Sequence, residues 1–157
     1  MRERRADDLE ALVELDLSSA RHHASIDPEA YRVPDRDRVT AFLKRRLADP
    51  DREILVTEVG GRIVGAVDIT MVGPRDPGSI VRPIPTADLG ISVAEDWRGR
   101  GIGHTLMAAA EANARGRGAE RMILDVSAAN EGAVRFYHEL GYREHGHLLS
   151  RSFRDEG

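Results

Sequence analysis

Apolar residues recur along this chain with two different periods, and the alternation between them lays out its elements. From Leu9 to Ala20 ("LEALVELDLSSA"), Leu9, Leu12, Val13 and Leu17 fall three and four residues apart, as on one face of a helix. Asp7 or Asp8 stands where an N-cap belongs. "HHASIDPEAYRVPD" breaks that period and reads as a polar, proline-marked connection. "DRVTAFLKRRLAD" restores it, with Val39, Phe42, Leu43 and Leu47 on the expected buried face and Pro50 as the stop. Arg2 to Arg5 form a possible short first strand.

The period then changes to two. "EILVTEVGGRIVGAVDITMV" predicts a β-hairpin, two β-branched runs around Gly60-Gly61, a pair that tolerates positive φ at both positions. "GPRDPGSIVRPIP", with four prolines and two glycines, predicts a stiff loop bordering a binding site or a dimer contact. In "TADLGISVAE", Leu89, Ile91 and Val93 alternate as on a half-buried strand. "GHTLMAAAEANARG" predicts a helix packed closely on a sheet through Leu106, Met107 and Ala110, ended by Gly116 and Gly118. "RMILDVSA" predicts a strand. "NEGAVRFYHELG" predicts a helix with Asn130 as N-cap and Gly141 just past its end. "HLLSRSF" predicts a last strand. The order β-α-α-β-β-β-α-β-α-β predicts one mixed α/β (α+β) domain over residues 1–157.

Composition narrows the function classes. Of 157 residues, 41% are hydrophobic and 32% charged, as in a soluble globular domain. The net charge of -4 argues against nucleic acid as a partner. The absence of cysteine excludes disulfides, zinc thiolates and a cysteinyl intermediate. No apolar run is long enough to span a membrane, and "MRERRADDLE" lacks the apolar core of a secretory signal, so a cytoplasmic location is expected.

One stretch concentrates chemistry. "DWRGRGIGHTL" places three glycines and two arginines between a strand and a helix. A helix N-terminus presents free, partly positive N–H groups that suit phosphate. Glycines let phosphate approach the backbone, and Arg98 and Arg100 add charge. A Walker loop requires Lys-Ser/Thr where His104-Thr105 stands, and the spacing of Gly99, Gly101 and Gly103 is not that of a dinucleotide fingerprint. Taken alone, the stretch reads equally as a solvated turn or an anion cradle.

"RGRGIG" resembles the R/Q-x-x-G-x-G/A signature of the GCN5-related N-acetyltransferase superfamily, with Arg98, Gly101 and Gly103 at the defining positions. "NEGAVRFYHELGY" resembles a second segment of that family, through Asn130, Ala133, Phe136, Tyr137, Gly141 and Tyr142. The resemblance covers nearly the whole chain. It implies a central mixed, mostly antiparallel sheet flanked by about four helices. It also implies acetyl-CoA as acyl donor; with no cysteine, and no clear carboxylate partner near His145 and His147 in sequence, no metal site is expected. Its pyrophosphate is expected on the backbone from Arg98 through Gly99, Arg100, Gly101, Ile102, Gly103 and His104 to Thr105. Its pantetheine arm is expected along Ile91, Ser92 and Val93 as an added strand. Asn130 and Ala133 are expected beside it.

The implied reaction is direct attack of a primary amine, from a small molecule or a peptide N-terminus, on the thioester in a ternary complex. Tyr137 matches the family's general acid, although Ala133, Phe136, Tyr137 and Leu140 equally form an ordinary core stripe. Asp125, twelve residues before Tyr137, is the first candidate base; Asp88 is the second, and either acts directly or through water. Both read equally as strand-end carboxylates. His22, His23 and Tyr31 fall where the family's variable helical region lines the acceptor pocket. The expected partners are acetyl-CoA and an amine, in a monomer or homodimer, with neither nucleic acid nor membrane. The alternatives are a non-catalytic acyl-CoA-sensing module of the same fold and an unrelated phosphate-binding α/β domain.

Overall fold

Among the described residues, five strands join in one sheet in the order β1-β2-β3-β4-β5. They are β1 (Arg2–Glu3), β2 (Arg52–Val59), β3 (Arg62–Val72), β4 (Thr86–Val93) and β5 (Arg121–Ile123). The first three pairings are antiparallel and the last is parallel. The described residues also form four α-helices: α1 (Leu9–Ile26), α2 (Arg36–Leu47), α3 (Ile102–Gly116) and α4 (Glu131–Glu139). The computed structural model describes residues 1–73, 75–151 and 153. The chain forms two compact units, Met1–Asp125, which holds the sheet, and Val126–Gly157.

The β2–β3 hairpin turns on Gly60 and Gly61, at φ 57° and 78°, as their lack of Cβ permits. Its register shifts once: Thr57 faces Gly65, whereas Glu58 faces Ile63. The extra residue is Val64. This bulge turns Ile63 toward the α1–α2 cluster, while Gly65 faces α3. One face of the sheet thus meets α1 and α2 through Ile54 and Val56, packed with Leu12, Val13, Leu17, Val39 and Leu43. The other meets α3. A Cβ at Gly65 would lie 2.9 Å from Leu106 Cδ1 and 3.0 Å from Ile102 Cγ2, so this glycine sets how closely α3 approaches.

Four expectations change. Helix α1 continues through His22 and His23 to Ile26, because the polar side chains that suggested a connection lie along a helix that Pro28 follows. Phe42 is exposed, with the Arg46 guanidinium 5.0 Å above its ring; Val39 and Leu43 alone fill the buried stripe of α2. The strand in "RMILDVSA" stops at Ile123. It pairs only with the first three residues of β4, and without a ladder Leu124 and Asp125 leave the sheet. Among the described residues of "HLLSRSF", none forms a strand, and Leu148, Leu149 and Phe153 are exposed. Two adjacent leucines set no period, and no described residue pairs with their backbone as a strand.

Candidate functional site

Because β5 ends opposite Asp88, the far edge of β4 from Leu89 to Val93 has no partner strand among the described residues of its unit. An extended backbone with such an edge can accept another extended molecule. The strand ends at buried Ala94, whose amide donates to the Val64 carbonyl at 2.9 Å. A 3-10 turn, Glu95–Trp97, follows. Arg62 fixes it with two bonds to Asp96, at 2.6 and 3.1 Å, and holds that carboxyl below its ordinary range.

The glycine turn comes next. Gly99 and Gly101 lie at φ 71° and 81°, where other residues are strained. Gly101 caps α3, and its carbonyl accepts from both the amide and the hydroxyl of Thr105, each at 3.1 Å. The Thr105 amide is therefore already committed, and the amides that precede the first intrahelical bond are those of Ile102, Gly103 and His104. The helix behind them is held by Leu106, Met107 and Ala110, all fully buried. The positive end of the α3 dipole is thus fixed at the turn.

The two arginines of the turn differ in role. Arg98 donates its Nε to the Val93 carbonyl at 3.2 Å, bracing the turn against the end of β4. Arg100 lies 4.8 Å above the Trp97 ring, a cation–π contact, and is exposed. Sequence spacing could not separate the brace from the ring contact, because the difference depends on where one carbonyl points.

The α1–α2 face carries the ionisable groups. Asp68 of β3 binds Arg46 at 2.7 Å and Arg52 at 2.5 Å. Asp16 of α1 is pushed above its ordinary range by burial; Arg46 opposes the shift and Asp68 adds to it. Asp88 faces Thr70 across the β3–β4 ladder. Although Asp88 is exposed, partial loss of hydration raises its carboxyl, and the like charge of Asp125 raises it further. The two candidate bases are therefore close enough to act on each other, Asp125 from the exposed segment just beyond β5. The charge network around Asp16 and Asp68 was not anticipated; its members come from four separate elements, and no local spacing joins them.

His22, His23 and Tyr31 do come together. The rings of His22 and His23 meet edge to face at 6.0 Å, and His23 lies 5.1 Å from Tyr31. His23 Nδ1 is 2.8 Å from the Ser19 carbonyl, which fixes that ring. Burial lowers the His22 pKa, and Arg98 and His23 lower it further, so this cluster adjoins the glycine turn electrostatically.

In the second unit, the Asn130 side chain caps α4 by accepting from the Ala133 amide at 3.2 Å. Tyr137 is half-buried, with Phe136 and Tyr142 rings at 5.3 and 5.9 Å. Burial raises its phenol, which keeps the proton on oxygen at neutral pH. No residue of α4 is fully buried, so the stripe is not a sealed core. Among the described residues, no group of three or more His, Asp or Glu is placed to hold a metal ion. No helix there is long and apolar enough to cross a membrane.

Fold and turn together define an α/β protein whose central strand runs through a glycine turn into a helix N-terminus. The description of the Acetyltransferase (GNAT) family matches residues 10–142, and the chain belongs to that family, a family of acyltransferases. It is 32% identical over 103 residues to N-acetyltransferase 8 of Rattus norvegicus, covering 66% of this chain and 45% of that protein. The chain spans less than half the length of the curated relatives it matches. Its fold matches a mutant of the BH1408 protein from Bacillus halodurans, with a TM-score of 0.82, 23% identity and coverage of 97% and 98% of the two chains. It also matches AAC(6')-Iy in complex with the bisubstrate analogue CoA-S-monomethyl-acetylneamine, with a TM-score of 0.71, 22% identity and coverage of 98% and 97%.

Proposed function

We propose that this chain transfers an acetyl group from acetyl-CoA directly to a primary amine. The observation that carries the reading is the open edge of β4 followed, after the 3-10 turn Glu95–Trp97, by the turn at Gly99 and Gly101 and the N-terminus of α3. An extended pantetheine arm suits the edge at Ile91, Ser92 and Val93. A diphosphate suits the amides of Ile102 and Gly103 and the exposed charge of Arg100. The relative crystallised with a CoA-linked bisubstrate analogue shares the fold and supports this reading.

The amine nitrogen attacks the thioester carbonyl, the C–S bond breaks, and the thiolate takes a proton from the Tyr137 hydroxyl. A phenol whose pKa is raised by burial is protonated before the step, as an acid must be. The amine loses its proton to Asp125, or to water that Asp125 or Asp88 orients. A carboxyl raised by lost hydration, as at Asp88, is a better proton acceptor than an ordinary aspartate. His22, His23 and Tyr31 line the acceptor side in this reading. The acceptor is a small amine or a peptide N-terminus.

Replacing Tyr137 with Phe tests the chemistry. The expected outcome is a kcat at least ~100-fold lower, with acetyl-CoA affinity unchanged within about two-fold. Stopped CoA release across a broad amine panel, with binding retained in the unsubstituted protein, would instead favour a sensing module. Equal losses of rate and affinity would remove Tyr137 from the role of acid.

A further inference from the structure

Acetylation of an ammonium group removes two protons from its nitrogen. A primary amine is mostly ammonium near neutral pH, since its free pKa is about 10. One proton must leave before attack, because an ammonium has no lone pair. The second leaves after the C–N bond forms. The reading above supplies one acceptor, Asp125 or a water, and gives the Tyr137 proton to the thiolate. A second acceptor stands on α1. His23 Nδ1 lies 2.8 Å from the Ser19 carbonyl and 3.3 Å from the Ser19 hydroxyl, one turn back. A carbonyl oxygen only accepts, so Nδ1 carries a hydrogen and donates it. In the neutral ring the lone pair is therefore on Nε2. Among the described residues, none forms a hydrogen bond or ion pair with Nε2. Tyr31, 5.1 Å away, packs against the same ring. An imidazole held by one nitrogen and bare at the other has the form of a general base.

Its place in the fold suits that task. Leu12, Asp16, Ala20 and His23 share one stripe of α1. Leu12 packs in the cluster on the sheet, and Asp16 acts on Asp68 of β3. Asp68 pairs with Gly90 of β4, and Thr70 with Asp88. Asp88 and Gly90 are exposed, unlike Ala87 and Leu89 on the opposite face. The stripe that ends in His23 thus runs over the face of the sheet on which β4 is left uncovered. Arg98 and Glu95, from the segment after β4, act on neighbouring His22 in opposite senses, which sets the two histidines beside the end of β4. The charged groups around His23 are therefore His22 on its own helix, Arg98 and Glu95 after β4, and Asp16, Asp68 and Asp88 farther along the same face. We propose that His23 is a catalytic base of this reaction: Nε2 takes the first proton from the bound ammonium and passes it to solvent, before the nitrogen attacks the thioester. The proposal rests on the acetyl-transfer reading. It leaves the second proton to Asp125 or its water, so that one proton is released per acetyl group transferred.

Two measurements on the full chain test it. Nitrogen-15 NMR without acetyl-CoA, with His23 assigned by comparison with His23→Ala, is expected to show hydrogen on Nδ1 and a bare Nε2 at about pH 8. The opposite tautomer would overturn the proposal whatever the activity. In kinetics, the probe is the amine that releases CoA fastest in the panel above. His23→Ala is expected to lower its kcat/KM at least ~30-fold near neutral pH, with acetyl-CoA affinity unchanged within about two-fold. The deficit should shrink to about three-fold or less above the amine's own pKa, where it enters already neutral. Imidazole added at about 50 mM should restore part of the rate at neutral pH. A loss that neither pH nor imidazole relieves would mean that His23 only shapes the pocket, and would overturn its role as base. No CoA release from the unsubstituted chain would overturn the acetyl-transfer reading and this proposal together. Release that His23→Ala leaves unchanged would overturn this proposal alone.

Discussion

On the face of the sheet that meets α3, Val67, Ile69, Leu106, Met107 and Ala110 are all fully buried and none of them ionises. On the face that meets α1 and α2, Asp68 lies between two guanidinium groups and Asp16 is half-buried within reach of both Arg46 and Asp68. The dry face fixes a backbone: it holds the start of α3 against the end of β4, so the glycine turn has one geometry. The charged face supplies side chains that titrate. A site that must grip a phosphate by its main chain is best anchored on the first. A site that must manage protons and positive charge is best placed on the second.

Asp68→Asn strains this comparison most. It removes the charge that Arg46 and Arg52 share and leaves two partly buried cations side by side. A loss of about 2–4 kcal/mol is expected in urea unfolding. A loss below about 1 kcal/mol would mean that the charged face is merely solvated. On the dry face, Gly65→Ala forces Leu106 and Ile102 aside and should cost about 1–2 kcal/mol by the same measurement. An unchanged midpoint would show that α3 is free to shift, and with it the turn.

The smallest effect has the opposite sign. The folded-state pKa of Asp16 lies above its unfolded value near 3.8, so its ionisation opposes folding once the pH exceeds the unfolded value. Asp16→Asn should therefore raise the melting temperature by a few degrees at pH 7. The gain should fade as the pH falls below about 3.8, where the aspartate is protonated in both states. A gain that persists at low pH would come from packing rather than charge.

The dry face was legible in the sequence, and the charged face much less so. Leu106, Met107 and Ala110 repeat at helical spacing, and the glycines of "RGRGIG" mark a turn before that helix, so both could be read locally. Gly60-Gly61 and the Asn130 cap were legible for the same reason. The short β5 was not, because strand length depends on a partner far along the chain. That error placed Asp125 on a strand it has already left. Phe42 looked buried by period, but its ring is exposed and lies under Arg46, one turn later on α2. The Arg46–Asp68–Arg52 network joins α2, β3 and β2, and no spacing within one element could have announced it.

The central claim is that β4, the glycine turn and the start of α3 form the acyl-donor site. It is tested most directly by calorimetric titration of acetyl-CoA into the unsubstituted chain and into Gly101→Glu. This substitution places a side chain at φ 81° and a negative charge where a diphosphate is proposed to lie. The unsubstituted chain is expected to bind saturably. The variant, checked for its fold by circular dichroism, is expected to lose at least ~100-fold in affinity. Equal affinity in the two proteins would contradict the account.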